Sequence, residues 1–340
     1  MKKVTISDIA DALGITPSTV SRALHNNPKV NAETKKAVNE YAKRMNYRRN
    51  VAASSLRTGK SNTIGVVVPR INSHFISSAI GGIETFANQA GYNIIICQSN
   101  ESLKTEIKAV QTLLTKGIDG MLASISMETN KYDHFCEVVN MKVPLVFFDR
   151  ICPTLDVSSV VIDDFKGAYK AAEHLIQQGC RRIAHLSGSM ELNIYRNRLE
   201  GYKQALKNYN IPIEEEMIFT TTQMTDTMGS TFIEKLYVSK NLPDGICSSN
   251  DNLAAGAMKF LIQKGVKIPE QVAITGFSNA LFTQWMTPLL STVDQHSELM
   301  GCNAVTLLLE EIEKNGDGCV SRNIILNPDL IIRGSSERRK

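Results

Sequence analysis

Residues 4–24 read VTISDIADALGITPSTVSRAL, and this stretch decides how the chain begins. Thr5 can cap a helix in which Ile6, Ile9, Ala10 and Leu13 recur on one face, with Asp8 near the positive N-terminus and Gly14 placed to end it. Only Gly14 and Ile15 precede Thr16, a second capping residue, and Pro17 suits a first helical position, where the missing N–H costs nothing. Val20, Ala23 and Leu24 then form an apolar stripe. Two helices joined by so short a turn read as a helix-turn-helix. Asn31 caps a third helix, with Val38, Tyr41, Ala42 and Met45 inward and Lys35, Lys36, Lys43 and Arg44 at the surface.

The second helix carries chemistry. Ser18 and Arg22 are four residues apart and share one exposed face, while Thr16, Thr19 and Ser21 are short hydroxyl donors suited to phosphate oxygens. A guanidinium there can pair bidentately with guanine O6 and N7. The plainer reading is a three-helix unit with an ordinary surface arginine, and the charge distribution argues against it. Residues 1–60 hold 12 Lys and Arg against 4 Asp and Glu, a net +8 inside a chain of net +4, which leaves −4 for the rest. One end is built for a polyanion.

These residues, with Asn46-Tyr47 and the run Asn50-Val51-Ala52-Ala53-Ser54-Ser55-Leu56, resemble the DNA-binding head and hinge of the LacI family of bacterial transcription regulators. The resemblance implies that Pro17, Ser18 and Arg22 face bases, that Thr5, Thr16, Thr19, Ser21 and His25 face phosphates, and that Asn50, Ala53 and Leu56 form the hinge. Pro17 and Ser18 are short where several members carry longer side chains, so direct readout should rest mostly on Arg22. A hinge over Asn50 to Arg57 falls below the roughly 12–15 residues an isolated helix needs, so it should order only when supported. In the family two such hinges fold together on DNA, and Leu56 would be the minor-groove wedge. Arg57 to Asn62 is then a polar tether. Gly59-Lys60-Ser61 lacks the upstream glycine and strand of a phosphate-binding loop.

Beyond Asn62, short β-rich runs alternate with helical patterns. The runs are Ile64–Val68, Ile94–Cys97, Met121–Ser124 and Leu145–Phe148, then Ile183–Leu186, Met217–Thr220, Gly245–Cys247 and Val272–Ile274. This is the βαβ cadence of parallel sheets covered by helices, and a pause near Val157 to Val161 divides it in two. The pattern is similar to the two-lobed periplasmic-binding-protein-like core of the same family. The expected fold is therefore α/β: an all-α helix-turn-helix head (1–49), a hinge and linker (50–61) and a core of two parallel sheets flanked by helices (62–334). The resemblance implies three crossings between lobes, placed near Ile162, Thr292 and Arg322. That gives one lobe 62–162 and 293–322, and the other 163–292 and 323–334.

Ligands of open α/β sheets bind beyond the carboxyl ends of strands. The residues there are polar: Asn72, Ser73, His74 and Phe75, then Asp149 and Arg150, then Arg196 and Arg198, Asn250 and Asp251, and Ser278 and Asn279. Such groups with an aromatic ring hold a polyol well, because each hydroxyl both donates and accepts. The expected effector contacts are His74, Phe75, Asp149, Arg150, Arg196, Arg198, Asn250 and Ser278, with Asp251 as a helix cap and Trp285 in the core or a dimer contact. Asp149 and Arg198 match ligand-contacting positions of the family. The chain has Gly276-Phe277-Ser278-Asn279 where many members have an Asp after Gly-Tyr, which leaves the sugar undefined.

Composition supplies the exclusions. At 340 residues and 43% apolar the chain is neither disordered nor one small domain. No apolar stretch approaches the roughly 20 residues of a membrane span and no secretion signal is read at the start, so a cytoplasmic protein is expected. The seven cysteines are scattered singly, which predicts reduced thiols and no metal site. No hydrolase elbow, zinc-protease or dinucleotide motif is present, Asp163-Asp164 reads as two surface carboxylates, and neither enzyme activity nor a cofactor is expected. The C-terminal Ser335 to Lys340 lacks the leucine heptad of a tetramerising tail. The reading is a homodimeric, operator-binding regulator, a repressor of carbohydrate-utilisation genes, that binds double-stranded DNA and a small-molecule effector. Its alternatives are a global carbon-control regulator with a phosphoprotein corepressor, and a solute-binding transport component.

Overall fold

The computed structural model describes residues 4–47, 60–314 and 320–338, and the chain divides into two compact units, 1–61 and 62–340. The hinge positions Asn50, Ala53 and Leu56 lie outside the described residues. The first unit holds α1 (Ile6–Leu13), α2 (Pro17–Leu24) and α3 (Ala32–Arg44). A reciprocal cap starts α1: Thr5 N donates to Asp8 Oδ2 at 2.7 Å and Asp8 N donates to Thr5 Oγ1 at 3.2 Å. Gly14 ends it in the left-handed region at φ 64, where a side chain would be strained. Ile9, Ala10, Val20, Ala23, Val38 and Ala42 form the core of this unit. Met45, expected inward, is 41% exposed, because α3 ends at Arg44 and Met45 turns off its apolar stripe as the C-cap.

The second unit begins with β1 (Thr63–Val68), α4 (His74–Gln89), β2 (Asn93–Gln98), α5 (Leu103–Thr115), β3 (Gly120–Ala123), α6 (Asp133–Asn140), β4 (Leu145–Phe148) and β5 (Ser159–Ile162). It continues with α7 (Asp164–Gln177), β6 (Ile183–Ser187), α8 (Asn193–Asn208), β7 (Ile218–Thr220), α9 (Asp226–Val238), β8 (Gly245–Ser248), α10 (Asp251–Gln263), β9 (Ala273–Phe277) and β10 (Ser291–Asp294). The last elements are α11 (Ser297–Glu313), β11 (Asn323–Leu326) and β12 (Asp329–Ile331). They build two six-stranded sheets, ordered β11-β5-β4-β3-β1-β2 and β12-β10-β9-β8-β6-β7. All pairings are parallel except β10 with β12. Apolar clusters cover both faces of each sheet, which explains why β1, β3 and β4 read as unbroken apolar runs rather than alternating ones.

The first crossing follows Ile162 as the sequence suggests, whereas one strand and the other two lobe boundaries differ from the sequence expectation. The supposed pause is itself β5, paired on both sides. β10 stays in the second sheet through Asp294, so the chain crosses at Gln295-His296 rather than Thr292. β11 then runs in register with β5 from Asn323↔Ser159 to Leu326↔Ile162, which keeps the chain in the first lobe past Arg322. The third crossing comes at Asn327-Pro328, where a proline has no N–H to extend the ladder. Helix α11 returns to the first lobe against α4 at very close approach. A Cβ on Gly301 would lie 2.0 Å from Ala79 O, and one on Gly82 2.3 Å from Glu298 O, so only glycine fits at either point. Among the described residues no helix is long and apolar enough to cross a membrane.

Candidate nucleic-acid interface and ligand cleft

In the first unit α2 presents Pro17, Ser18 and Arg22 to solvent. The Arg22 guanidinium forms no hydrogen bond or ion pair with any described residue, so its side-chain donors are unspent, while its backbone O accepts from Asn27 N at 3.0 Å. Thr16 caps the helix by accepting from Thr19 N at 3.2 Å, and its Oγ1 lies 2.9 Å from the hydroxyls of both Ser18 and Thr19. These hydroxyls form a small cluster at the N-terminus of α2, the end that favours anions. Ser21 is half-buried. His25 Nδ1 lies 2.6 Å from Ser21 O, which fits a proton on Nδ1 and leaves Nε2 facing out. Thr5 is exposed, but its hydroxyl donates to Asp8 Oδ2 at 2.7 Å, so its proton already serves the cap.

In the second unit a cavity of about 510 Å³ opens between the two sheets, within the range of small-molecule sites. Phe75, Asp149, Arg150, Arg198, Asn250 and Ser278 line it, as do Asn72 and Ser73. His74 and Arg196 do not. Neighbours one or two apart on a helix diverge by about 100–200°, so Phe75 turns inward where His74 instead lies 3.5 Å from Ser78 Oγ. Arg198 likewise faces the cleft while Arg196 donates outward to Met190 O and Glu191 O at 3.3 and 3.4 Å.

Arg198 sits at the floor of the cleft and is buried. Its Nε donates to Asp164 Oδ1 at 2.7 Å, Nη1 to Ser249 O at 2.8 Å and Nη2 to Gln295 Oε1 at 3.0 Å. The guanidinium lies 3.8 Å from the Phe277 ring centre. Asp164 is therefore no surface carboxylate; burial pushes it up to about 7 even with Arg198 opposing, while Asp163 caps α7 by accepting from Lys166 N at 2.9 Å. Asp149 is also raised by burial, with Arg150 and then Arg198 acting the other way, and its Oδ2 accepts from Ser124 Oγ at 3.3 Å. Arg150 donates to Glu101 Oε2 at 2.8 Å and Ile125 O at 3.3 Å.

Other expectations need correction. Asn250 caps α10, accepting from Asn252 N at 2.9 Å, and still lines the cleft. Asp251, expected as the cap, is buried behind it and accepts from Thr292 Oγ1 at 2.6 Å and Ala280 N at 2.8 Å. Trp285 is 76% exposed and belongs to no core. Sequence reading missed Glu101, Tyr195, Gln295 and the loop Thr222–Thr225, all of which line the cleft. Glu101, Gln295 and that loop follow the ends of β2, β10 and β7, so the strand-end rule applied to every strand would have found them. Backbone geometry marks the site too: Glu101 (φ 63), Asp149 (φ 62) and Ser278 (φ 121) are non-glycine residues in or near the left-handed region.

Comparison with known proteins agrees with both units. Residues 5–50 match the family described as bacterial regulatory proteins, lacI family, and residues 61–333 match periplasmic binding proteins and sugar binding domain of LacI family. The chain is 30% identical to the HTH-type transcriptional regulator DegA of Bacillus subtilis, over 98% of each chain. It is 32% identical to the HTH-type transcriptional repressor CytR of Escherichia coli, over 98% of this chain and 96% of that one. A lac repressor dimer solved bound to operator and an anti-inducer shares the fold at a TM-score of 0.87 and 23% identity, covering 98% of this chain and 99% of that chain.

Proposed function

The chain belongs to the lacI family of bacterial regulatory proteins, and on that premise we propose that it is a cytoplasmic repressor of carbohydrate-utilisation genes. It binds a pseudo-palindromic operator as a dimer and releases or holds it according to a small molecule in the cleft. It is a DNA-binding transcription regulator and not an enzyme. The single observation that carries the effector half is the convergence on one cavity of Asp149, Arg150, Arg198, Asn250 and Ser278 from both lobes. Arg22, unpartnered on the exposed face of α2, supports the DNA half. Ser18 and Pro17 are the neighbouring base-facing positions, and the hydroxyls of Thr16, Thr19 and Ser21 with the His25 ring anchor phosphates.

The effector acts only through differential affinity for two lobe arrangements, and what it stabilises sets whether paired heads fit adjacent half-sites. The cleft's own hydrogen-bonding groups favour a small molecule over a phosphoprotein as the primary signal, and the matched head separates this chain from solute-binding transport proteins. The test is selection of DNA from a random duplex pool by the purified protein, repeated with a panel of sugars and nucleosides. Recovery of an inverted repeat whose occupancy shifts with one compound is the expected outcome. Recovery of no sequence preference under any condition defeats the proposal.

A further inference from the structure

We propose that residues 190–195 of the second lobe form a latch that grips the first lobe beside the cavity, holds the two lobes together without a ligand's help, and opens without unfolding either lobe. Among the described residues, three of the four apolar clusters of the second unit stay within one lobe each. The fourth is built mainly by the first lobe, with Phe135 and Cys152 among its members, yet it takes in Leu192, Ile194 and Tyr195 from the second, and Met190 packs against it. Apolar burial of this kind favours a closed seam by the area it takes out of water, whatever fills the cavity.

The local chemistry of the latch is that of a hook. β6 ends at Ser187, the chain turns with Leu192 N donating to Ser189 O at 3.2 Å, and α8 starts at Asn193. Leu192 occupies the N-cap of α8 and makes no side-chain cap, in a place where Ser, Asp or Asn would satisfy a helix N–H. The place is given instead to a leucine buried in the cluster of the opposite lobe. Asn193 also turns away from its own helix. Its Oδ1 accepts from Ile151 N at 3.3 Å and its Nδ2 donates to Asp149 O at 3.5 Å, both in the first lobe, and these two bonds fix the register of the seam. Tyr195 is buried beside them, and its ring passes so close to the turn that a Cβ on Gly188 would lie 2.3 Å from Cε2, so only glycine admits it.

Cys152 supplies the readout. It is 3% exposed and lies in the seam, whereas Cys247, 2% exposed on β8, belongs to a cluster confined to the second lobe. A covered thiol reacts only when it is uncovered, so Cys152 reports parting of the seam and Cys247 reports unfolding of the lobe. The experiment is N-ethylmaleimide labelling of the full chain with no ligand added, read site by site by peptide mass spectrometry. In the wild type Cys152 reacts at least about tenfold faster than Cys247, at a rate that urea leaves unchanged below the unfolding transition, because parting a seam exposes far less surface than unfolding. Leu192→Ala speeds Cys152 roughly 10- to 100-fold and Asn193→Ala about 3- to 10-fold, with Cys247 unchanged in both. Neither residue lines the cavity, so the change reports the seam alone. Equal acceleration of both thiols overturns the latch, since Leu192 would then support only the fold. A Cys152 rate that the two variants leave unchanged, or that follows Cys247 through the urea series in the wild type, overturns it too. The wild-type comparison decides whether the seam opens by itself even if a variant does not fold, and the absence of added ligand keeps the outcome separate from the effector reading.

Discussion

Replacing Arg198 with Met tests the electrostatic centre of the cleft. The side chain is 3% exposed and its partner Asp164 1%, so solvent does little to soften the loss. Three acceptors lose their donor at once: Asp164 Oδ1, Ser249 O and Gln295 Oε1. Removing one partner of a buried ion pair costs about 3–5 kcal/mol. Asp164 can relieve part of this by taking a proton, since it already stands at about 7 with Arg198 beside it. Because its folded value is raised above the unfolded one, its contribution is fully present at acid pH and is lost as pH rises through the folded value. Without Arg198 that value climbs further, so the variant goes on losing stability above pH 7 where the wild type has finished. The expected deficit is on the order of 3 kcal/mol near pH 6, a melting shift on the order of 10 °C, and it widens toward about pH 8.5. Calorimetric melts of wild type, Arg198→Met, Asp164→Asn and the double variant check it. In the Asp164→Asn background the Arg198 substitution should cost about 1–3 kcal/mol less, since the stranded carboxyl is gone. Melting within about 2 °C of wild type at every pH, with no widening, refutes the reasoning.

Arg22→Ala should abolish the difference between operator and scrambled duplex, a loss of about 1–3 kcal/mol of discrimination, while salt-sensitive nonspecific binding persists in fluorescence anisotropy. Gly301→Ala places a methyl 2.0 Å from Ala79 O and should destabilise the second unit by about 1–3 kcal/mol in denaturant unfolding, with head melting unchanged. His185 is buried in the second sheet, stacked on Tyr202, and burial lowers it to about 3. A depressed histidine stabilises the fold above the unfolded value and loses that contribution as pH falls through the window between about 6.5 and 3. His185→Phe, which keeps the ring stack, should therefore melt with a shallower decline than wild type between about pH 6.5 and 4.

Local rules made some of this legible and could not reach the rest. The head is read from caps and a short turn: Thr5, Gly14, Thr16, Pro17 and Asn31 each act within four residues of their own position, and each does what its type dictates. The strands of the core are apolar because both faces are covered, so the runs stood out. The boundaries did not, because β5 and β11 are strands by virtue of pairing with each other across more than 150 residues. Asp164 and Asp251 were misjudged for a related reason. Sequence alone puts Asp164 at the surface and Asp251 at the cap, and only a distant partner, Arg198 for the first and Thr292 for the second, shows that each is buried one residue past the cap. Arg196 and Arg198 were both offered by the strand-end rule, and only helical phase separates them.

The partners of Arg198 also connect the cavity to the crossings between lobes. Asp164 is the first residue of α7, directly after the first crossing at Asp163, and Gln295 lies in the second crossing, where its Nε2 donates to Ser278 Oγ at 2.8 Å. Lys166 and Lys170, from the first two turns of α7, reach Asn327 Oδ1 and Pro328 O in the third crossing at 2.9 and 2.8 Å. His296 in the second crossing lies 3.1 Å from Asp329 at the end of the third. All three crossings are thereby tied into one hydrogen-bonded group, which meets the cavity through Arg198 and Gln295. A ligand that engages Arg198 must compete with or reinforce bonds to two of the three crossings, whatever its other contacts are. On the proposed effector reading, the floor of the cleft is where binding energy would be converted into a preference between lobe arrangements. Substitutions at Phe75 or Asn250 should then change affinity for the effector, while Gln295 and Asp164 should change how strongly that effector alters DNA binding.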